Sequence, residues 1–206
     1  RQFMFRCTVP GLDTYIVTMI NGWLDTENTT VAEGVVATSI ENGANLFPDL
    51  FNKYYNQQAE KRADSIVALN TAFSRSGLFL YIPDNLIVDK PIQIINIMLG
   101  PRPMMVNQRN LIIAGRGSQS KILLCDHTQT EQKFLLNNVS EIVLQQDAKL
   151  DCYNIQNFND QSSQISTLMF EQEANSHLLT NTLTLHGHFV RNNLEVLLKG
   201  EHAEAN

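Results

Sequence analysis

The sequence predicts a mainly β fold, in which a parallel β-helix, or solenoid, over residues 86–206 follows a small α/β region over residues 1–85. Two observations lead to this prediction. Helical periodicity stops near residue 109, and from there a pattern of strand, polar turn and strand returns at a near-constant interval. That interval of about 28 residues is typical of solenoids, in which each repeat packs on its neighbours.

Composition limits the classes of protein. The 206 residues, 43% of them hydrophobic, can supply one good core. A formal charge of -6 argues against a nucleic-acid partner, because phosphate binding needs clustered Lys and Arg. No apolar run reaches the roughly 20 residues of a membrane span, so we expect no membrane partner. Cys7, Cys125 and Cys152 form no C-x-x-C pair, which favours free thiols and a cytoplasmic location.

The first hundred residues predict a hairpin, two helices and then strands. The pair Asn21-Gly22 separates two short apolar runs and favours a two-residue type I′ turn. An apolar stripe at three- and four-residue spacing predicts a helix over residues 47–59. A second helix is expected to begin after the N-cap residue Asp64 and to stop at Gly77. The isoleucine-rich residues beyond it predict consecutive strands with tight bends at the prolines.

The repeats align as four segments, each with alternating apolar residues followed by a three-residue polar or glycine turn. They begin at Ile112, Ile142, Leu168 and Val196, which gives three intervals of similar length. Their seventh positions hold Ser118, Ala148, Ala174 and His202. Asn-Asn pairs at 137–138 and 192–193 precede two of the strands. Small side chains at these positions suit a narrow interior, in which Asn and Ser can form ladders.

The alternation buries one face of each strand. Strands at this spacing can hydrogen-bond to their equivalents in the turns above and below, and two strands per turn account for the repeat length. An antiparallel sandwich would explain the alternation but not the period, so the β-helix is the favoured interpretation.

The glycine-rich residues 115–117 align with the polar turns of the other repeats, so we predict that they form a turn of the solenoid. A phosphate-binding loop would need glycine directly before lysine and a helix after it. Here Ser120 precedes Lys121, and a strand is expected to follow.

Two pairs of residues have the spacing of metal ligands on one face of a strand. Cys125 and His127 are the candidates for a metal site, although the aligned repeat offers no further ligand beneath them. His186 and His188 share the spacing but not the helical zinc-protease pattern, so packing or solvation is the favoured role.

No set of residues in the sequence predicts catalysis, and we expect a protein that is not an enzyme. Asp147 and Glu173 stack in the alignment, but like charges in exposed turns are usually solvated. Cys152 falls at the position of Ile122, which indicates a small core residue.

Several stretches carry a resemblance to a known family. They are "NLIVDKPIQIINI", "SQSKILLCDHT", "NNVSEIVLQQDAKLDCYNIQN" and "LHGHFVRNNLEVLLKGEHAE". Arg191-Asn192, followed by the L-x-G-E-x-A pattern at residues 198–203, adds to it. Over most of its length the chain resembles the SufB/SufD family of iron-sulfur cluster assembly scaffold proteins, and is closer to the SufD branch. The resemblance implies a right-handed parallel β-helix flanked by N- and C-terminal domains.

The resemblance also implies a function: the chain would be a non-catalytic scaffold subunit in a cytoplasmic SufBCD-type complex. There a SufD-like chain pairs with a SufB-like paralogue, a SufC-like ABC ATPase binds both, and clusters are assembled and passed to apo-proteins. The resemblance implies that this segment binds no cofactor firmly and that the full complex holds an iron-sulfur cluster transiently. It also allows a homodimer of this chain as another assembly.

The family's cluster-associated histidine and partner surfaces lie in its C-terminal part, beyond Asn206. The chain also opens on Arg1 instead of Met. We therefore expect a fragment whose β-helix is truncated at its C-terminal end, and we transfer the role of that histidine to no residue of this sequence.

Another class of function stays open. Parallel β-helices also bind or cleave polysaccharides, with acidic and aromatic side chains along an outer face. Aromatic residues are 8% of this chain and mostly precede the repeats, which makes this class, like an unspecified interaction scaffold, the less favoured alternative.

Overall fold

The strands of the protein form the two facing sheets of a parallel β-solenoid. The computed structural model describes residues 12–206. Its strands are β1 (Tyr15–Ile20), β2 (Trp23–Asp25), β3 (Val36–Ser39), β4 (Leu78–Ile82), β5 (Ile92–Met98), β6 (Met104–Ala114), β7 (Gln119–Thr128), β8 (Phe134–Leu144), β9 (Lys149–Asn157), β10 (Ser163–Gln172), β11 (His177–His186), β12 (Phe189–Leu198) and β13 (Glu204–Ala205). Its helices are α1 (Ile40–Leu46), α2 (Pro48–Tyr54) and α3 (Ser65–Phe73). With 51% of residues in strands and about four turns of solenoid, the predicted fold class is confirmed.

Each turn of the solenoid contributes one strand to each sheet. We call the sheet with the order β13-β11-β9-β7-β5-β1-β2 sheet A, and the sheet with the order β12-β10-β8-β6-β4-β3 sheet B. All neighbours pair in parallel except β2 and β3, which close one end antiparallel. The chain before residue 86 therefore adds β1 to sheet A and β4 to sheet B.

The register of the strands confirms the near-constant period and corrects one step of the alignment. Ile112 pairs with Ile142, Ile142 with Phe170, and Phe170 with Val196, so each step along the chain is slightly shorter than the one before it. The sequence pattern places Leu168 beside Ile142, which is wrong by two positions, since Phe170 pairs with Ile142. A shift of two positions leaves every side chain on the same face of the strand, so alternation alone cannot detect it.

The turns that join sheet B to sheet A stack directly on one another. The turns over residues 115–118, 145–148 and 173–176 have four residues each, and the last, over residues 199–203, has five. The prediction that residues 115–117 form such a turn is confirmed, since the Gly117 N–H donates to the Gln146 carbonyl at 2.9 Å. One column of these turns holds a residue at positive φ in every repeat. Its members are Asn85, Gly117, Asp147, Asn175 and His202, with φ between 56° and 65°.

This column also corrects two positions of the alignment. Asp147 stacks on Asn175, whose side-chain amide donates to its carboxylate at 3.0 Å, and not on Glu173. The small residue of the third turn is Ser176, completely buried like Ser118 and Ala148, and not Ala174.

The main hydrophobic core lies between the sheets. It combines sheet B residues such as Ile112, Ile142 and Phe170 with sheet A residues such as Ile122 and Cys152. Cys152 pairs with Ile122 and is 1% exposed, so its prediction as a small core residue is confirmed.

The hairpin prediction is also confirmed. Ile20 pairs with Trp23 across Asn21 and Gly22, which have φ of 51° and 83°, as a type I′ turn requires. The predicted second strand is short, and Trp23 lies on the edge of sheet A with 57% of its surface exposed.

The helical segment differs from the prediction in three respects. A third helix, α1, precedes the two expected ones and is capped by Ser39, whose hydroxyl accepts from the Asn42 N–H. Helix α2 ends at Tyr54 instead of residue 59. Helix α3 begins after Asp64, as predicted, but ends at Phe73, well before Gly77. Gly77 serves a different purpose, since a Cβ there would lie 1.6 Å from the Arg109 carbonyl oxygen.

A buried ion pair holds this segment on the outer face of sheet B. Arg109 on β6 and Glu141 on β8 are 1% and 0% exposed, and their Nη2 and Oε2 atoms are 2.8 Å apart. The Glu141 carboxylate accepts from the backbone N–H groups of Asn56, Gln58 and Ala59 at 2.6 to 3.2 Å. These contacts fix the chain directly after α2. Asn56 in that stretch adopts a φ of 64°, which a right-handed helix does not allow, so α2 ends at Tyr54.

The last turn of the solenoid is the most exposed. Leu183 on β11 and Leu194 on β12 are 52% and 54% exposed, whereas Leu168, which pairs with Leu194, is buried. Among residues 12–206, no helix is long and apolar enough to cross a membrane.

Replacing Glu141 by Gln should destabilise the protein by about 3–5 kcal/mol, because the buried Arg109 guanidinium loses its counter-charge. The matched control is Asp151→Asn, which breaks the Lys121–Asp151 pair on the outer face of sheet A. That change should cost about 1 kcal/mol or less. Urea unfolding followed by circular dichroism measures both values, and equal losses would contradict the clamping role of Glu141.

Candidate functional site at the polar edge

The chemistry-bearing side chains gather at one edge of the solenoid, which we call the polar edge. Here β7, β9 and β11 end, and residues 129–133, 158–162 and 187–188 lead into sheet B. The surface of this edge carries a cleft of about 280 Å³. Its lining consists of Thr128 to Glu131, Asn157 to Asp160, and His186.

The connections of the polar edge hold one another by side-chain hydrogen bonds. The amide of Asn159 donates to the carbonyls of Thr130 and Gln132 at 2.7 and 2.9 Å. Ser162 accepts from the Phe134 N–H and donates to the Gln132 carbonyl. The cleft is therefore built on stacked connections whose backbone groups are hydrogen-bonded.

Cys125 and His127 share one face of β7, as the sequence predicted. They alternate with Leu124, which belongs to the core, so they lie on the outer face of sheet A. Both are buried, with exposures of 2% and 5%, and Gln93 donates to the Cys125 sulfur at 3.4 Å. Over residues 12–206, no three His, Cys, Asp or Glu side chains come together in a way that could hold a metal ion. The metal role of Cys125 and His127 stays a prediction.

The other histidines are arranged differently from the expectation. His186 is the last residue of β11, and His188 lies in the connection after Gly187, so they do not share the face of one strand. Instead, His186 and His127 both pair with Asn157, in a column that crosses β7, β9 and β11. Spacing along the sequence could not reveal this column, because its members come from three successive strands of sheet A.

Asp126 lies inside the solenoid at the polar edge, and the sequence reasoning missed it. Its carboxylate accepts from the side-chain amides of Asn96, at 3.2 Å, and of Gln164 on the opposite sheet. Burial raises the pKa of this carboxyl to about 6, and the two amide hydrogen bonds act against that rise. The available signal was alternation, since Asp126 continues the inward positions of Ile122 and Leu124.

Two family models together match nearly the whole chain. The description "SufBD protein N-terminal region" matches residues 1–94. The description "SUF system FeS cluster assembly, SufBD core domain" matches residues 97–206, which include most of the solenoid. The chain belongs to the SufBD family.

Curated members of the SufBD family match part of this chain at low sequence identity. Iron-sulfur cluster assembly SufBD family proteins of Mycobacterium tuberculosis and Mycobacterium bovis are 33% identical over 87 residues, or 42% of this chain. A SufBD family protein of Staphylococcus aureus is 27% identical over 127 residues, or 61% of this chain. The matches span 10% of the mycobacterial proteins and 27% of the staphylococcal protein, so this chain corresponds to a small part of each relative.

Burial restrains the chemistry of one thiol of this SufBD chain, that of Cys152. Burial raises the pKa of the Cys152 thiol to about 12. Because the thiolate is the nucleophile and the metal ligand, Cys152 is inert at neutral pH.

In a variant carrying Cys7→Ser and Cys125→Ser, the remaining Cys152 should not react with a disulfide reagent at pH 8. A pKa near 12 leaves a negligible thiolate fraction, and burial excludes the reagent. One thiol per chain should become reactive in 6 M guanidinium chloride, as followed by absorbance. Prompt labelling of the folded variant would show that Cys152 is accessible.

Proposed function

We propose that this SufBD chain is a non-catalytic scaffold subunit of a SufBCD-type complex, which supports iron-sulfur cluster assembly and transfer to apo-proteins. The match of the SufBD core description to residues 97–206 carries the proposal. The curated relatives, whose names give iron-sulfur cluster assembly as their role, support it.

The architecture favours a scaffold role. A solenoid offers long, regular outer faces to partners, and its stacked turns keep those faces rigid. The glycine-rich residues 115–118 are engaged as a turn, with hydrogen bonds to the turns on either side. We therefore assign nucleotide chemistry to a partner ATPase.

The proposal also covers the branch of the family, the location in the cell and the partners of the chain. The chain is a member of the SufD branch, acts in the cytoplasm and pairs with a SufB-like paralogue, and a SufC-like ABC ATPase binds both. Its two parts are an α/β region over residues 1–85, whose strands β1 and β4 extend the two sheets, and the remainder of the solenoid over residues 86–206. Any iron-sulfur cluster is cargo of the full complex, held transiently.

The full-length protein, co-expressed with its SufB-like and SufC-like partners and purified anaerobically, should elute as one complex in size-exclusion chromatography. The complex should gain labile iron and sulfide when it is supplied with a sulfur donor and ferrous iron. The partners alone serve as the control, and they should gain less.

Two outcomes would contradict the proposal. If the folded full-length protein forms no complex, the assignment to a SufBCD-type assembly is wrong. If partners without this chain acquire equal iron and sulfide, a scaffold role for it is wrong.

A further inference from the structure

The half of the solenoid interior that is nearer the polar edge, which we call the polar half, contains both polar and apolar side chains. Next to the turns at the other edge, the inward positions hold apolar residues such as Ile112, Ile142 and Phe170. In the polar half, a second apolar cluster (Met98, Val106, Phe134, Leu136 and Phe158) lies beside inward positions that are polar and buried just as completely. They hold Asn96, Asp126, Asn154, Gln164 and Ser166, all with at most 5% exposure. Polar groups in such a place need partners, since burial without them is costly.

Asp126 is the charged member of this polar half. Asn96 from its own sheet and Gln164 from the facing sheet both direct side-chain amide N–H groups at its two carboxylate oxygens. Both oxygens of the carboxylate thus accept hydrogen bonds from amide N–H groups, as an ionised carboxylate does.

The same two amides leave oxygen atoms unused. Asn96 Oδ1 and Gln164 Oε1 are buried and accept no hydrogen bond from the described residues. Each belongs to an amide whose nitrogen already contacts Asp126, so both oxygens lie within a few ångströms of the carboxylate. Two further buried oxygens without a partner among residues 12–206 belong to the same polar half. They are Asn154 Oδ1, two residues from the strand partner of Asp126, and Ser166 Oγ, two residues from Gln164.

One carboxylate together with neutral amide oxygens is a recognisable ligand set. Hard cations take carboxylate and amide oxygens, and calcium sites usually combine several carboxylates to match the double charge. Sites for Na⁺ and K⁺ are built largely from carbonyl-type oxygens that replace the hydration shell. A single negative charge balances a single positive charge, which favours a monovalent ion.

We propose that the polar half of the solenoid interior binds one alkali cation, Na⁺ or K⁺, through the carboxylate of Asp126 and the amide oxygens of Asn96 and Gln164. The ion joins sheet A to sheet B between the main hydrophobic core and the second apolar cluster. This inference does not depend on the proposed scaffold function.

Thermal unfolding at pH 7.5 tests the proposal, with choline chloride replaced stepwise by NaCl or KCl at constant ionic strength. The folded-to-unfolded ratio of the wild-type protein should rise about elevenfold when the cation reaches ten times its Kd. Asp126→Asn removes the charge and keeps the shape, and it should abolish this dependence. Asp151→Asn, which removes an outer-face carboxylate, should retain it.

Two results would overturn the proposal. One is an unfolding midpoint of the wild-type protein that is the same in choline, sodium and potassium chloride, as expected if water alone fills the site. The other is an Asp126→Asn variant that responds to the cations as the wild type does.

A second measurement applies if Asp126→Asn fails to fold. Crystals of the wild-type protein soaked in a thallium(I) salt, a K⁺ substitute with strong anomalous scattering, should show an anomalous peak at bonding distance from the Asp126 carboxylate. Fully soaked crystals without that peak would exclude a K⁺ site there.

Discussion

In-register parallel stacking is the constraint on which the rest of this structure depends. Because each strand pairs with its equivalent one turn away, side chains form columns, and every member of a column meets the same demand. The column of Asn85, Gly117, Asp147, Asn175 and His202 shows this, since all five adopt positive φ. Glycine, Asn and Asp tolerate that conformation best. The chain thus meets one geometric requirement with several residue types, which hides the repeat from simple inspection.

The helical segment is held by side-chain contacts, whereas the sheets are held by backbone hydrogen bonds between paired strands. Two apolar clusters pack this segment against the outer face of sheet B, and a buried charge pair fixes its position. Glu141 satisfies three backbone N–H groups of the chain after α2 as well as Arg109, so it replaces the helical hydrogen bonds that end there. Such pairs add little net stability compared with apolar packing, but they penalise any other placement of the segment.

The features that could be predicted from the sequence depend on local patterns. Asn21-Gly22, the cap at Asp64 and the period of the solenoid all follow from short-range chemistry or repetition. The features that could not be predicted join distant residues. Glu141 meets Asn56 across 85 positions, and Asp126 meets Gln164 across the two sheets. At the candidate site, the shared face of Cys125 and His127 was foreseen from alternation, whereas the column linking His127 to His186 needs the register of three strands.

The unequal steps between paired residues of successive turns have a single origin. The turns over residues 115–118, 145–148 and 173–176 are of equal length, so the differences arise in the strand ends and connections at the opposite edge. Over these three turns the edge with the positive-φ column therefore keeps a constant length, while the polar edge absorbs changes in chain length. The last turn, over residues 199–203, is one residue longer. Residues can therefore be inserted into the connections at the polar edge, for example to display a new peptide, without disturbing how successive turns align.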